Sequence, residues 1–222
     1  IALQSEALCE MFLDKPDNVI SLLKNQKWYS FLPSVGQMLS QSYQMLGETK
    51  EAKFTLQDSI LDSILTIFYD ITAYLSICND DVDHFDEICR RAINLGETFN
   101  IKQLFPVAIL SFFLTAAEGY LTIGNMDKAL IMLESYSEVA TDDIFPLTTR
   151  GDKFFTLIDE LKDKQLDELS FKMTELSRDT QSIKQDIVDS VIQNPIFTTL
   201  ANDQRYKVVT KKLEVLLHDI SL

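Results

Sequence analysis

Along this chain apolar residues recur at spacings of three and four rather than two. Leu61, Ile64, Leu65 and Phe68 form one such run, and Leu130, Leu133 and Tyr136 another. That period follows the turn of an α-helix, and short alternating runs bounded by Gly-Asn turns are absent, so an all-α chain is expected. The longest apolar zone, residues 104–121, holds a proline together with Ser111, Thr115 and Glu118. A membrane span needs roughly 18 uninterrupted apolar residues, so this zone predicts a buried helix with one polar stripe instead.

The punctuation between helices also repeats. Tyr43-x3-Gly47-x4-Ala52 returns 77 residues later as Tyr120-x3-Gly124-x4-Ala129. Glycine ends a helix because it enters the left-handed region at no steric cost, and a small alanine lets the following helix pack closely against the first. Each copy is therefore the joint of a helical hairpin, which cannot bury its apolar face alone and implies stacked neighbours. The separation is a little over twice the roughly 34-residue period of a tetratricopeptide unit. A degenerate middle copy fits the gap: Tyr74-x3-Cys78, the turn Asn79-Asp80-Asp81, then Phe85, Ile88 and Ala92. A fainter unit opens the chain, with Leu8, Met11 and Phe12 before Asp14-Lys15-Pro16-Asp17 and Val19, Ile20, Leu22 and Leu23 after it. Tyr43, Tyr74 and Tyr120 are expected as core spacers between hairpins. Trp28 and Tyr29 precede the first strong copy, either as a packing wedge or, if exposed, as an interface anchor.

The last third differs in texture. Phe154, Phe155, Ile158, Asp159 and Glu160 are followed by a polar insert over residues 162–176. An amphipathic helix with Ile183, Ile187 and Val188 comes next, capped by Asp179 or Ser177 and stopped at Asn194-Pro195. The final helix is expected to carry Val208, Val209, Leu213, Leu216 and Leu217 on one side, with Phe197, Leu200 and Tyr206 filling the end of the core. A sealed apolar end is what the last unit of a repeat array requires. The expected fold is thus a tetratricopeptide-like array of about four or five helical hairpins, an α-α superhelix. Residues 1–165 form the repeats and residues 166–222 the C-terminal capping helices of the same domain.

These residues also resemble a known family. The spacing Asn194-Pro195-x-Phe197-x2-Leu200-x2-Asp203-x-Arg205-Tyr206, the Phe154 to Glu160 block and the Arg178-Asp179-x3-Ile183-Lys184 block occur in the order seen in lambda-repressor-like helix-turn-helix regulators of Clostridia-type bacteria. Such regulators carry a tetratricopeptide-like regulatory region at their C-terminal end. Gln204 departs from the proline usual there, which loosens only the start of the last helix. The resemblance implies a cytoplasmic transcription regulator, with a DNA-binding domain upstream of residue 1.

Charge narrows the partners. Of 222 residues, 20 are Lys or Arg and 34 are Asp or Glu, for a formal net charge of −14, and no basic run exists. Direct nucleic-acid binding needs cations to replace phosphate counterions, and an anionic membrane surface makes the same demand, so neither partner is expected. The excess acid is a solvated face or a complement to a cationic, amine-bearing ligand. Cys9, Cys78 and Cys89 include no CxxC, so neither a disulfide framework nor a structural zinc site is indicated. The stretch Asp80-Asp81-Val82-Asp83-His84-Phe85-Asp86 lacks the bend glycine of a calcium loop and reads as an acidic first helical turn. His218 reads as a favourable charge on a last turn, and Arg90-Arg91 as a surface ion pair or a contact for an acidic partner. No phosphate loop, nucleophile elbow or carboxylate-base pair is present, so neither catalysis nor a cofactor is expected.

The first helices of stacked hairpins line the concave side of a superhelix. With the joint tyrosines as anchors, the polar positions expected there are Gln37, Gln41 and Gln44, then Thr72 and Ser76, then Glu118 and Thr122. Amides and hydroxyls would pair with the main chain of an extended peptide, and a carboxylate with its amino terminus. Two functions fit. One is the sensing and oligomerisation region of a regulator, a homodimer that binds a peptide or small effector. The other is a stand-alone scaffold that binds a protein partner.

Overall fold

A computed structural model of the chain describes residues 6, 9, 10, 12, 13, 15, 18, 34–145, 147, 149–159 and 179–218. Among the described residues every regular element is a helix. They run α1 (Val35–Met45), α2 (Thr49–Leu75), α3 (Val82–Thr98), the single turn α4 (Ile101–Leu104), α5 (Pro106–Thr122) and α6 (Met126–Ala140). Then come α7 (Thr180–Ile192), a 3-10 segment (Pro195–Leu200) and α8 (Gln204–His218). Of the expected opening unit only Phe12 and Lys15 are described, and the Trp28-Tyr29 pair and the polar insert lie outside the described residues.

Both glycine joints adopt one geometry. Gly47 and Gly124 have φ of 79° and 80°. At the first joint Glu48 donates its backbone N–H to the Tyr43 carbonyl at 2.9 Å and Gly47 donates to Gln44 at 3.0 Å. At the second, Asn125 donates to Tyr120 at 2.8 Å and Gly124 to Leu121 at 3.0 Å. This nested pair of bonds is the Schellman motif, and it explains the repeated spacing: the tyrosine supplies the carbonyl that the residue after glycine must reach. Ala52 and Ala129 are both buried at the start of the returning helix.

The middle joint is built differently. Cys78 is buried, and α3 begins on the Asp81 carboxylate, which accepts from the backbone of Asp83 at 3.0 Å and of His84 at 3.1 Å. The acidic turn is therefore a helix cap. Tyr74 departs from its expected role as a core spacer, since it is 47% exposed whereas Tyr120 is buried and Tyr43 half-buried. It sits one residue, or about 100°, before the fully buried Leu75, so it points away from the core and bonds the His84 ring at 3.0 Å.

No glycine or proline interrupts α2, and its 27 residues continue through the place where a repeat joint would fall. In its first half Ala52 faces α1, where the buried Ser40 hydroxyl donates to the Ala52 carbonyl at 2.9 Å. Nine residues on, half a revolution round the helix, the buried set begins: Leu61, Ile64, Phe68, Thr72 and Leu75. Thus α1 lies against one side of α2 and the main core against the other.

That core joins α2, α3, α5 and α6. The Phe68 and Phe112 rings meet edge to face at 5.6 Å between centroids. Phe85 lies so close to Gly119 that a Cβ there would stand 2.3 Å from its ring. In α5 the expected polar stripe is seen, with Ser111 and Thr122 exposed, Thr115 and Glu118 half-buried, and the rest of the helix largely buried. The C-terminal helices seal the other end. Asp179 caps α7, accepting from the Ser182 backbone at 2.8 Å and its hydroxyl at 2.9 Å. Phe197, Leu200, Tyr206, Val209, Leu213 and Leu216 are buried, whereas Val208 faces outward at 58% exposure. Val208 is offset by about 100° from Val209, outside the i, i+3, i+7, i+10 row that Tyr206, Val209, Leu213 and Leu216 form.

Candidate functional site

Gln37, Gln41 and Gln44 share one exposed face of α1 at i, i+4 and i+7. Gln37 is committed to a capping box: its amide oxygen accepts from the Ser34 backbone at 2.8 Å, and its backbone donates to the Ser34 hydroxyl at 3.1 Å. Gln44 only grazes the Ser40 hydroxyl at 3.5 Å. Gln41 has no polar partner among the described residues.

The other expected positions are more constrained. Thr72 is buried and donates to the Phe68 carbonyl at 2.9 Å, so its hydroxyl serves its own helix. Ser76 and Thr122 are exposed, each also back-bonded, to Ala73 at 2.7 Å and to Glu118 at 3.0 Å. The Glu118 carboxylate accepts from the Asn194 amide at 2.7 Å. Apart from that Thr122 to Glu118 backbone bond, the three groups, from α1, α2 and α5, share no hydrogen bond.

The closing segment that carries the family resemblance is occupied by structural tasks. Asn194 accepts from the Ile196 backbone at 3.2 Å while holding Glu118. Asp203 caps α8 through the Arg205 backbone at 2.7 Å. The Arg205 guanidinium grips Glu134 of α6 with two bonds of 2.7 and 2.8 Å and reaches Asp127 as well. Its hydrogen bonds with Glu134 raise the Arg205 pKa and hold the Glu134 carboxyl below its usual range.

One polar cluster joins three helices behind the second joint. Asp86 of α3 accepts from the Tyr120 hydroxyl at 2.8 Å and pairs with the Lys128 ammonium of α6. Burial pushes the Asp86 carboxyl upward, but hydrogen bonds from Lys128 and Tyr120 outweigh it and hold the group below its usual range. Beside it the buried Cys89 thiol is pushed up to about 11, chiefly by desolvation, and so stays a thiol at neutral pH. Asp86 thus bonds both Tyr120 and Lys128, and the cluster fastens α3, α5 and α6 together. Among the described residues no three His, Cys, Asp or Glu side chains gather as a metal-binding group.

Two concavities bear on a site among the described residues. One of about 430 Å³ lies where α4 meets the segment after α6, and its charges are already paired: Lys102 with Asp142 at 2.7 Å, Arg150 with Asp143 at 3.6 Å. The other, about 600 Å³, is a notch between the start of α1 and the middle of α2, lined by Leu39, Asp58, Ser59, Asp62, Ser63 and Ile67 among others. The sequence reading did not single it out. Its signal was the long stretch without a Lys or Arg, from Phe54 to Cys89, in which Asp58 and Asp62 stand one helical turn apart. Among the described residues no helix is long and apolar enough to cross a membrane. No family model matches the chain, and neither a curated protein nor a solved structure matches it.

Proposed function

We propose that this chain is the sensing and oligomerisation region of a bacterial transcription regulator, built as a tetratricopeptide-like array, and that a peptide or small effector binds the polar face of its first helices. The exposed glutamine face of α1 supports the ligand half of this reading most directly. An amide such as Gln41, held on a helix and without a polar partner among the described residues, can donate to and accept from a peptide main chain at once. Gln44, Ser76 and Thr122 are further exposed polar positions, on α1, at the end of α2 and on α5. Glu118 serves the array by holding Asn194, and Thr72 by bonding its own helix. The regulator half rests on the resemblance of the closing segment, and the effector would act by changing the geometry of a dimer and hence the spacing of its DNA-binding heads.

A thermal-shift screen of the full chain against short peptides of mixed sequence tests the proposal. A ligand should raise the melting temperature by mass action, and Gln41→Ala should abolish that rise while leaving the unliganded Tm unchanged. Sedimentation with and without the hit reports whether it alters a dimer. A screen without hits, or hits indifferent to both Gln41→Ala and Gln44→Ala, overturns the reading.

A further inference from the structure

We propose that the notch beside α1 and the bare face of α2 beyond it form a docking site for a lysine- or arginine-rich amphipathic helix of a partner protein. The site lies on the opposite flank of α1 from the glutamine face, so it does not depend on the effector reading. Round the helix, Gln37, Gln41 and Gln44 fall on one side of the inward Gly36 and Ser40, and Leu39 falls on the other.

Among the described residues, unequal helix lengths leave this face of α2 uncovered. α2 has 27 residues and α1 only 11, so at 1.5 Å per residue roughly 20 Å of α2 extends past the end of α1 on the side that α1 packs against. The main core lies on the other side of α2 and cannot cover this face. α1 shows how closely a helix can approach it: a Cβ on Gly36 would stand 2.5 Å from Ser59. Beyond that contact Ser59, Ser63 and Thr66 continue the same row of small side chains at i, i+4 and i+7, a groove that admits another helix. Leu39 at 44% and Ile67 at 49% exposure flank it, two aliphatic side chains whose burial would favour an apolar ridge on the incoming segment.

Charge complementarity selects the partner. From Phe54 to Cys89 the chain contains eight Asp or Glu and no Lys or Arg, so α2 carries its only cations, Lys50 and Lys53, before the notch, and neither the rest of α2 nor the first two turns of α3 offers one. Asp58 and Asp62 line the notch itself, and neither has a hydrogen-bond donor or a cation beside it among the described residues. Both carboxyls lie above their usual range, Asp58 through burial and then the repulsion of Asp62, Asp62 through burial. Carboxylates without partners, Asp58 half-buried and Asp62 exposed, gain from a cation delivered by a ligand, and an acidic surface steers basic partners toward it. A second copy of this chain, at a formal charge of −14, is poorly suited by the same test.

Fluorescence anisotropy of the full chain with a labelled amphipathic helix of about 14 residues, leucines along one ridge and lysines on its flanks, tests the proposal. Its twin with glutamate for lysine is the control. The lysine peptide should bind and its twin should not. Asp58→Asn with Asp62→Asn, and separately Ile67→Gln, should each weaken binding about tenfold without lowering Tm, and salt should weaken the native complex more than that of the Asn double variant. Gln41→Ala should leave binding unchanged. The proposal falls if the full chain refuses the lysine peptide, if binding survives both sets of variants, or if sedimentation shows a dimer that Ile67→Gln dissociates and that excludes the peptide.

Discussion

The Asn194 side chain donates to the Glu118 carboxylate at 2.7 Å, tying the start of the closing segment to the polar stripe of α5 across 76 residues of chain. The same side chain accepts from the Ile196 backbone and so begins the 3-10 segment that carries the buried Phe197 and Leu200 into the core. A residue read as part of a family motif and a residue read as a ligand contact are partners in one fastening.

Replacing Asn194 with Ala should therefore remove both a cap and a partly buried hydrogen bond, at a cost of about 1–2 kcal/mol in denaturant unfolding. Glu118→Gln keeps an acceptor for the Asn194 amide and should cost less. A double-mutant cycle between the two positions should show coupling, and strict additivity would mean that the contact contributes nothing.

Two kinds of glycine should fail in different ways. Gly124 has open space around its Cβ position and φ of 80°, so Gly124→Ala meets only backbone strain of about 1–2 kcal/mol, and Gly124→Asn should recover part of it. Gly119 has an ordinary helical backbone but faces the Phe85 ring, so Gly119→Ala should cost about 1–3 kcal/mol through overpacking. Phe85→Leu should rescue the second defect and leave the first untouched. Melting curves of the four single variants and the two pairings decide the matter.

Arg205 joins α8 to α6 through its paired bonds with Glu134, a planar fork that an ammonium cannot reproduce. Arg205→Lys should lower Tm and speed proteolysis within α8 before the rest of the chain is cut. If α8 is released no faster than in the native chain, the burial of Tyr206, Val209 and Leu213 alone holds it.

Local rules were readable because local chemistry enforces them. Tyr-x3-Gly is the spacing of a Schellman motif, and Asp81, Asp179, Asn194 and Asp203 accept from nearby backbone as residues of their type do at helix starts. The polar stripe of α5 followed from periodicity alone. What did not follow was the fusion across the middle of α2, because the absence of a breaker permits a long helix without revealing which face each half buries. Tyr74 and Val208 were misplaced for a related reason: each stands about 100° from its buried neighbour, Leu75 or Val209, and only the packing partner fixes where the boundary falls. The cation-free stretch around Asp58 and Asp62 signalled the charge of the notch beside α1, but not its cleft, which arises from two helices of unequal length.

The notch also gives the chain a distinctive dependence on pH. Burial and the neighbouring Asp62 raise the Asp58 carboxyl above its model-peptide value of 3.8. A carboxyl whose folded pKa is raised binds its proton more tightly in the folded state than in the unfolded chain. Its charged form therefore opposes folding at neutral pH, and the opposition is relieved as pH falls through the raised value toward 3.8. Asp86 and Glu134 act in the opposite sense: their folded values are lowered, so their stabilisation is present at neutral pH and is lost as acid protonates them. A Tm profile of the native chain superposes both trends, whereas its difference from Asp58→Asn isolates the first. The variant should melt at or above the native chain at pH 7, and the difference should shrink as pH approaches 4. A variant that instead melts below the native chain at pH 7, with the deficit disappearing in acid, would mean that the Asp58 carboxylate is stabilised in the fold by a cation, which would also remove the vacancy on which the docking of a basic helix depends.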